Sequence, residues 1–250
     1  MTEGITLITP TGSRPESLER SWKYVSRFKV DVPVQCIVVD DTYEGTSMKS
    51  RIRINEIQCD LLFPSHKWKP GMNTLALNLL AAIPLVEHNC VLFIEDDDWY
   101  SPDYVIVMYE ALQSGEIVGE IPSRYYHIPS RRYRSMENKF HASLCQTGIR
   151  STILPQLKTI CEASAKFIDV RLWHVLTTNN YFKHLLKTQN CVGMKGLPGR
   201  PGIGIGHSPD KDWQSDPDVT VLKSWIGEDI ELYAANLAAS GRYSQLLVAR

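Results

Sequence analysis

Residues 91–100 read Val91-Leu92-Phe93-Ile94-Glu95-Asp96-Asp97-Asp98-Trp99-Tyr100, so four apolar residues run straight into four consecutive carboxylates. An apolar run of this length bounded by polar residues reads as a buried strand. Acids at a strand's C-terminal end lie where open α/β sheets bind ligands. Four adjacent carboxylates repel one another unless positive charge stands among them. A divalent cation supplies that charge, and hard carboxylate oxygens suit Mg²⁺ or Mn²⁺. The plainer alternative is a solvated acidic turn capping a helix that starts near Pro102, with Asp98 or Ser101 as N-cap.

Upstream, the same grammar recurs: an apolar strand, a polar or Gly/Pro loop, an amphipathic helix. Ile5 to Thr9 is the first strand, Pro10 to Pro15 the loop, and Glu16 to Arg27 a helix with Leu18, Trp22 and Val25 on one face. Gln35 to Val39 is a second strand ending on Asp40-Asp41. A short strand over Asp60 to Phe63 precedes Gly71 and a helix over Asn73 to Ala82, and another helix over Asp103 to Gln113 follows the acidic run. These loops lie at the C-terminal ends of their strands, so Thr9 to Arg14, Asp40-Asp41 and Glu95 to Asp98 should line one crevice of a parallel sheet.

Beyond about residue 115 the grammar changes. Strands are expected over Glu120 to Ile128 and Phe140 to Gln146, helices over Ser151 to Ala163 and Val170 to Leu186. A Gly/Pro-rich loop over Lys195 to His207 and a last helix near Glu228 to Ser240 complete the reading. One compact domain is expected, with residues 1–115 as its nucleotide-binding half and 116–250 as its acceptor-binding and catalytic half.

The 250 residues are 43% hydrophobic and 22% charged, an ordinary globular composition that excludes disordered and fibrous classes. A net charge of −1 argues against a protein that coats nucleic acid, although local basic patches stay open. Cys36, Cys59, Cys90, Cys145, Cys161 and Cys191 are scattered singly through apolar segments, which reads as buried thiols in a reducing compartment. The N-terminus lacks the basic and apolar regions of a signal peptide, and no segment reaches the roughly 18 apolar residues that span a membrane, so a soluble cytoplasmic protein is expected.

Ile8-Thr9-Pro10-Thr11-Gly12-Ser13-Arg14-Pro15, Ile37-Val38-Val39-Asp40-Asp41 and Phe93-Ile94-Glu95-Asp96-Asp97-Asp98-Trp99-Tyr100 stand in order after three strands. Together they resemble the nucleotide-binding half of GT-A glycosyltransferases, especially glycosyltransferase family 2, over roughly residues 4 to 112. The resemblance implies a GT-A (Rossmann-like) three-layer α/β/α sandwich with a mostly parallel central sheet. It places Thr9, Pro10, Thr11 and Arg14 near the nucleoside of a nucleotide sugar, with Asp40 or Asp41 accepting a hydrogen bond from a uracil-type N–H. Lys67 and Lys69 stand where the family has a basic residue, and Asn73 and Asn78 lie on the polar face of the next helix.

The acidic run stands for the family's Asp-x-Asp motif. Glu95-x-Asp97 and Asp96-x-Asp98 both fit its spacing, and period-2 geometry lets only one pair face the metal. Asp96 and Asp98 are favoured, with Asp97 as neighbour. In the second half, Lys166-Phe167-Ile168-Asp169-Val170-Arg171-Leu172-Trp173 is similar to the helix start where inverting members carry their base, which implies Asp169 in that role. Gly227-Glu228-Asp229 competes for it. His207 resembles the C-terminal histidine that ligates the metal in many such enzymes. The glycines before it let backbone N–H groups approach a pyrophosphate, and Lys195 and Arg200 supply charge.

Sugar transfer needs a stabilised leaving diphosphate and a base for the acceptor hydroxyl. Held by Asp96, Asp98 and His207, Mn²⁺ or Mg²⁺ would serve the first and Asp169 the second, with inversion. Residues 123–134 interleave four arginines with three tyrosines, either a solvated hairpin at the rim or a grip on nucleic acid. The acceptor is therefore left between a hydroxymethylated DNA base and a saccharide, lipid-linked or protein hydroxyl. Two rival readings stay open, a metal-dependent nucleotidyltransferase and an inactive nucleotide-binding module.

Overall fold

The computed structural model describes residues 1–43, 49–54, 57–163, 166–202 and 204–239. The chain order is β1 (Thr2–Thr11), α1 (Pro15–Val25), β2 (Val34–Asp40), β3 (Lys49–Ile54), β4 (Ile57–Leu62), α2 (Leu75–Ala82), β5 (His88–Phe93), β6 (Trp99–Tyr100) and α3 (Tyr104–Leu112). Then come β7 (Ile117–Glu120), β8 (Ser123–His127), β9 (Arg132–Met136), β10 (Thr147–Arg150), α4 (Leu154–Ala163), α5 (Ile168–Thr178), β11 (Lys183–Leu186), β12 (Cys191–Lys195), β13 (Gln214–Ser215) and α6 (Thr220–Ile226).

Among the described residues the main sheet has the order β11-β7-β10-β5-β1-β2-β4-β3. Its centre is parallel: β1 pairs with β5 on one side and β2 on the other, and β2 with β4. β10 and β3 run antiparallel to their neighbours. Alternation along each strand builds a core on both faces. Leu7, Val38 and Leu92 pack with Tyr24 of α1 and Met108 of α3, whereas Ile8, Ile37 and Phe93 pack with Leu79 of α2, Leu157 of α4 and Trp173 of α5. Helices thus cover both faces of a mostly parallel sheet, the three-layer α/β/α sandwich expected. A second sheet, β13-β9-β8-β12-β6, lies among the elements that follow the acidic run.

Several element expectations are corrected. The stretch 120–128 is two strands, interrupted at Pro122, which has no N–H for a ladder. Residues 140–146 are irregular and end in the 3-10 turn Leu144–Gln146; the strand is the next segment, β10. The helix proposed over 170–186 stops at Thr178, because Asn180 takes a left-handed conformation at φ 60° and the chain leaves as β11. β3, β12 and α6 had no counterpart in the reading. The last segment is a 3-10 helix, Gly227–Tyr233, with α-helical residues following to 239; Ser240 lies outside the described residues. All six cysteines are buried and free. No helix among the described residues is long and apolar enough to cross a membrane.

Candidate functional site

Because β1 lies between β2 and β5, all three parallel, the chain connections diverge at β1 and leave a crevice at the C-terminal ends of these strands. A cavity of about 770 Å³ occupies it. Pro10, Thr11 and Arg14 line it from the loop after β1, Glu95 and Asp97 from the loop after β5, and Asp169 from the first turn of α5. Lys195 closes β12 on the cavity, and Arg200 and His207 reach it from the loop beyond.

The four acids divide by alternation. Asp96 accepts the Thr11 hydroxyl at 2.6 Å and pairs with Arg14 at 2.7 Å, and the same guanidinium lies 2.8 Å from Asp97. Asp98 accepts the Met194 N–H at 2.9 Å and the Lys195 ammonium at 2.8 Å. Asp96 and Asp98 do not reach the cavity; Glu95 and Asp97 do. Of the two expected pairs, the cavity is thus lined by Glu95 and Asp97, while Asp96 and Asp98 lie behind its wall. Asp96 is engaged by Thr11 and Arg14 and Asp98 by Met194 and Lys195 inside the protein, whereas Asp97 shares the Arg14 guanidinium and still faces the cavity.

Burial, reinforced by the nearby Asp98, pushes the Glu95 carboxyl well above the usual range. Asp97 goes the other way: burial opposes its charge, but Arg14, Lys195 and His207 outweigh it and hold Asp97 down at about 2. Burial and then Lys195 bring the His207 imidazole down to about 4, leaving a neutral ring with a lone pair at neutral pH. Oxygen atoms of Glu95, Asp97 and Asp98 come within 4.8 Å of one another, and Asp98 Oδ2 is buried with no hydrogen-bond partner. This all-oxygen cluster fits a hard divalent cation.

On the β2 side the aspartates differ from expectation. Asp40 bonds the N–H and hydroxyl of Thr42 at 2.9 and 2.5 Å, a local turn. Asp41 is fully buried and accepts the Thr74 hydroxyl, Asn78 Nδ2 at 2.9 Å and Arg200 Nη1 at 2.7 and 2.9 Å. Neither lines the cavity. Thr9 is buried within β1, and Lys69 is exposed and does not line the cavity either. Arg200 lines the cavity and lies against Asp41, with Nη2 2.6 Å from Thr74 Oγ1 and its guanidinium 5.1 Å from the Trp68 ring centre.

Phe167, left-handed at φ 55°, turns the chain into α5 and so brings Asp169 to the cavity. Burial raises the Asp169 carboxyl, while backbone N–H groups of the first turn and His141 pull it back. Asp169 is thus an acid of the first helical turn rather than its N-cap, which is Phe167, and it faces the cavity. Its competitor, Asp229, is held bidentately by Arg27 at 2.7 and 2.8 Å, takes the Trp99 indole N–H at 2.8 Å, and does not line the cavity. Trp99 is a packing residue. His141, Asn138 and Ser143 also line the cavity; they come from an irregular stretch whose sequence carries no periodic signal.

The arginines of the β8–β9 hairpin are engaged within the protein. Arg124 lies over Trp225, Arg131 bonds the carbonyls of Pro217 and Leu237, Arg132 that of Trp213, and Arg134 pairs with Asp210 and Asp212.

No curated protein matches the chain. Among solved structures it resembles S. aureus TarS, at 12% identity and a TM-score of 0.50, over 78% of this chain and 37% of that one. A structure of S. aureus TarS 1-349 in complex with UDP-GlcNAc gives 11% identity and a TM-score of 0.51, over 79% of this chain and 60% of that one. The chain thus spans less than two thirds of the length of either structure, and at such identities the likeness shows the fold alone. The family model described as glycosyl transferase family 2 matches residues 6–176, which is more than half of the chain. This chain belongs to glycosyl transferase family 2.

Proposed function

We propose that this protein transfers a sugar from a nucleoside-diphosphate sugar, a UDP-sugar in the first instance, to an acceptor hydroxyl with inversion, aided by Mn²⁺ or Mg²⁺. One observation carries the reading: Glu95, Asp97 and Asp169 line the same cavity at the switch point of the sheet. The complex of the TarS fold neighbour with UDP-GlcNAc supports a uridine-type donor.

Glu95 and Asp97 would hold the cation, with Asp98 completing their oxygen cluster and His207 lining the same cavity. When bound, the cation supplies Lewis-acid stabilisation of a diphosphate oxygen. The chain's own groups do the rest. Lys195 and Arg14 add positive charge where the diphosphate leaves. Asp169 accepts the proton of the acceptor hydroxyl as its oxygen bonds to the anomeric carbon, while the bond to the diphosphate breaks and its electron pair departs with the leaving group. One carboxylate acting in one displacement gives inversion. The internally engaged arginines of the β8–β9 hairpin favour a saccharide hydroxyl over a nucleic acid as acceptor.

A thermal-shift screen of nucleotide sugars with Mn²⁺ and with a chelator tests the reading. Selective stabilisation by one uridine sugar, present only with the cation, is expected; a flat response across the panel would overturn it.

A further inference from the structure

The resemblance to family 2 implies an aspartate after β2 that accepts an N–H of the base, yet Asp41 has no capacity left. Its two oxygens already receive Thr74, Asn78 and two contacts from Arg200, about the four acceptor directions a carboxylate offers. It is also sealed. A Cβ on Gly12 would sit 1.9 Å from Asp41 Oδ1, so the backbone of the β1 loop lies directly on the carboxylate. What the cavity meets at this place is Arg200, whose side chain is 14% exposed.

Arg200 is built to stay there. Its carboxylate partner, the Thr74 hydroxyl and the face of Trp68 fix the guanidinium plane. Pulling it away would strand a buried carboxylate without its cation, a costly state. A guanidinium carries five N–H donors and no acceptor. Asp41 and Thr74 engage the two terminal nitrogens, so further N–H groups remain for the cavity. The place also suits the nucleoside end of a donor. β2 and β5 flank β1, which puts the Arg200 site roughly 10 Å from the acids after β5, the reach of a ribose and a diphosphate.

We propose that Arg200, held rigid by Asp41, Thr74 and Trp68, is the base-reading residue of this chain, donating to carbonyl oxygens of the base, with Asp41 a positioning residue behind it. This rests on the donor site proposed above. The selected edge is therefore an acceptor edge, such as the carbonyls of uracil, rather than the N3–H.

Calorimetry with Mn²⁺ tests this with UDP and with N3-methyl-UDP, which lacks the base N–H but keeps both carbonyls. Wild type should bind the two alike, and Arg200→Ala should weaken UDP about tenfold or more, as loss of a charge-assisted hydrogen bond does. The methylated probe needs no mutation, so the test stands even if Arg200→Ala fails to fold. Rejection of N3-methyl-UDP by wild type, or tighter UDP binding by Arg200→Ala, would mean that Arg200 merely covers an aspartate that reads the base, and the proposal fails. If neither UDP nor GDP binds wild type at all, the donor site itself is wrong and this inference falls with it.

Discussion

Lys195 Nζ lies 2.8 Å from Asp98 Oδ1 in a position where the carboxylate is fully buried and the lysine nearly so. This pair joins the end of β12 to the loop after β5 and engages Asp98 within the protein. Lys195→Met strands a buried charge and should cost about 3–5 kcal/mol in chemical denaturation, with Lys195→Met/Asp98→Asn recovering part of it. Additive losses in that cycle would show that the two do not act as a pair.

The register of the acidic run makes a separable claim. Glu95→Gln and Asp97→Asn should each remove the Mn²⁺ dependence of nucleotide-sugar binding in calorimetry. Asp96→Asn should keep it while lowering thermal stability through Thr11 and Arg14. Burial raises Glu95, so its proton must leave before it can hold a cation, and Mn²⁺ affinity should climb as pH rises through that elevated value. Loss of the metal response in Asp96→Asn alone would restore the other register.

Asp169→Asn should lower kcat by about 10²–10⁴ while leaving donor affinity unchanged, the signature of a lost base. A base works only when deprotonated, and burial raises this carboxyl. The rate should therefore fall with acidification at a pH above the ordinary carboxylate range. A pH–rate profile of wild type reads that limb directly, and an Asp169→Asn enzyme of normal kcat would discard the role.

Asp229 should separate stability from activity. Asp229→Ala releases Arg27 and the Trp99 indole, and the loss of these charged hydrogen bonds should cost about 1.5–3 kcal/mol. Tm should drop while kcat per folded enzyme stays the same. A collapse of kcat in a folded variant would return Asp229 to the list of bases.

The first half was legible because its signals are local. Strands of four to six apolar residues, each ending in acids or a Gly/Pro loop, specify parallel β-strands whose ends meet, and Arg14, Asp97 and the other loop residues follow from that. What sequence could not give was pairing across distance. Nothing near Asp41 announces that Arg200 will saturate it, and nothing in the run Glu95 to Asp98 says that Arg14 will take Asp96 and Asp97 while Lys195 takes Asp98. The second half read poorly because short strands such as β11 and β12 are defined by partners rather than by their own periodicity. His141 reached the cavity from a segment with no pattern at all.

The proposed reaction in this cavity is release of a diphosphate from a sugar nucleotide, aided by a cation. Release of nucleoside diphosphate from UDP-sugars by wild type and by Asp97→Asn, with Mn²⁺ and with chelator, measures it most directly. Turnover is expected only for wild type with the cation. Equal release by the variant or with chelator, or pyrophosphate released from a triphosphate in its place, would contradict it.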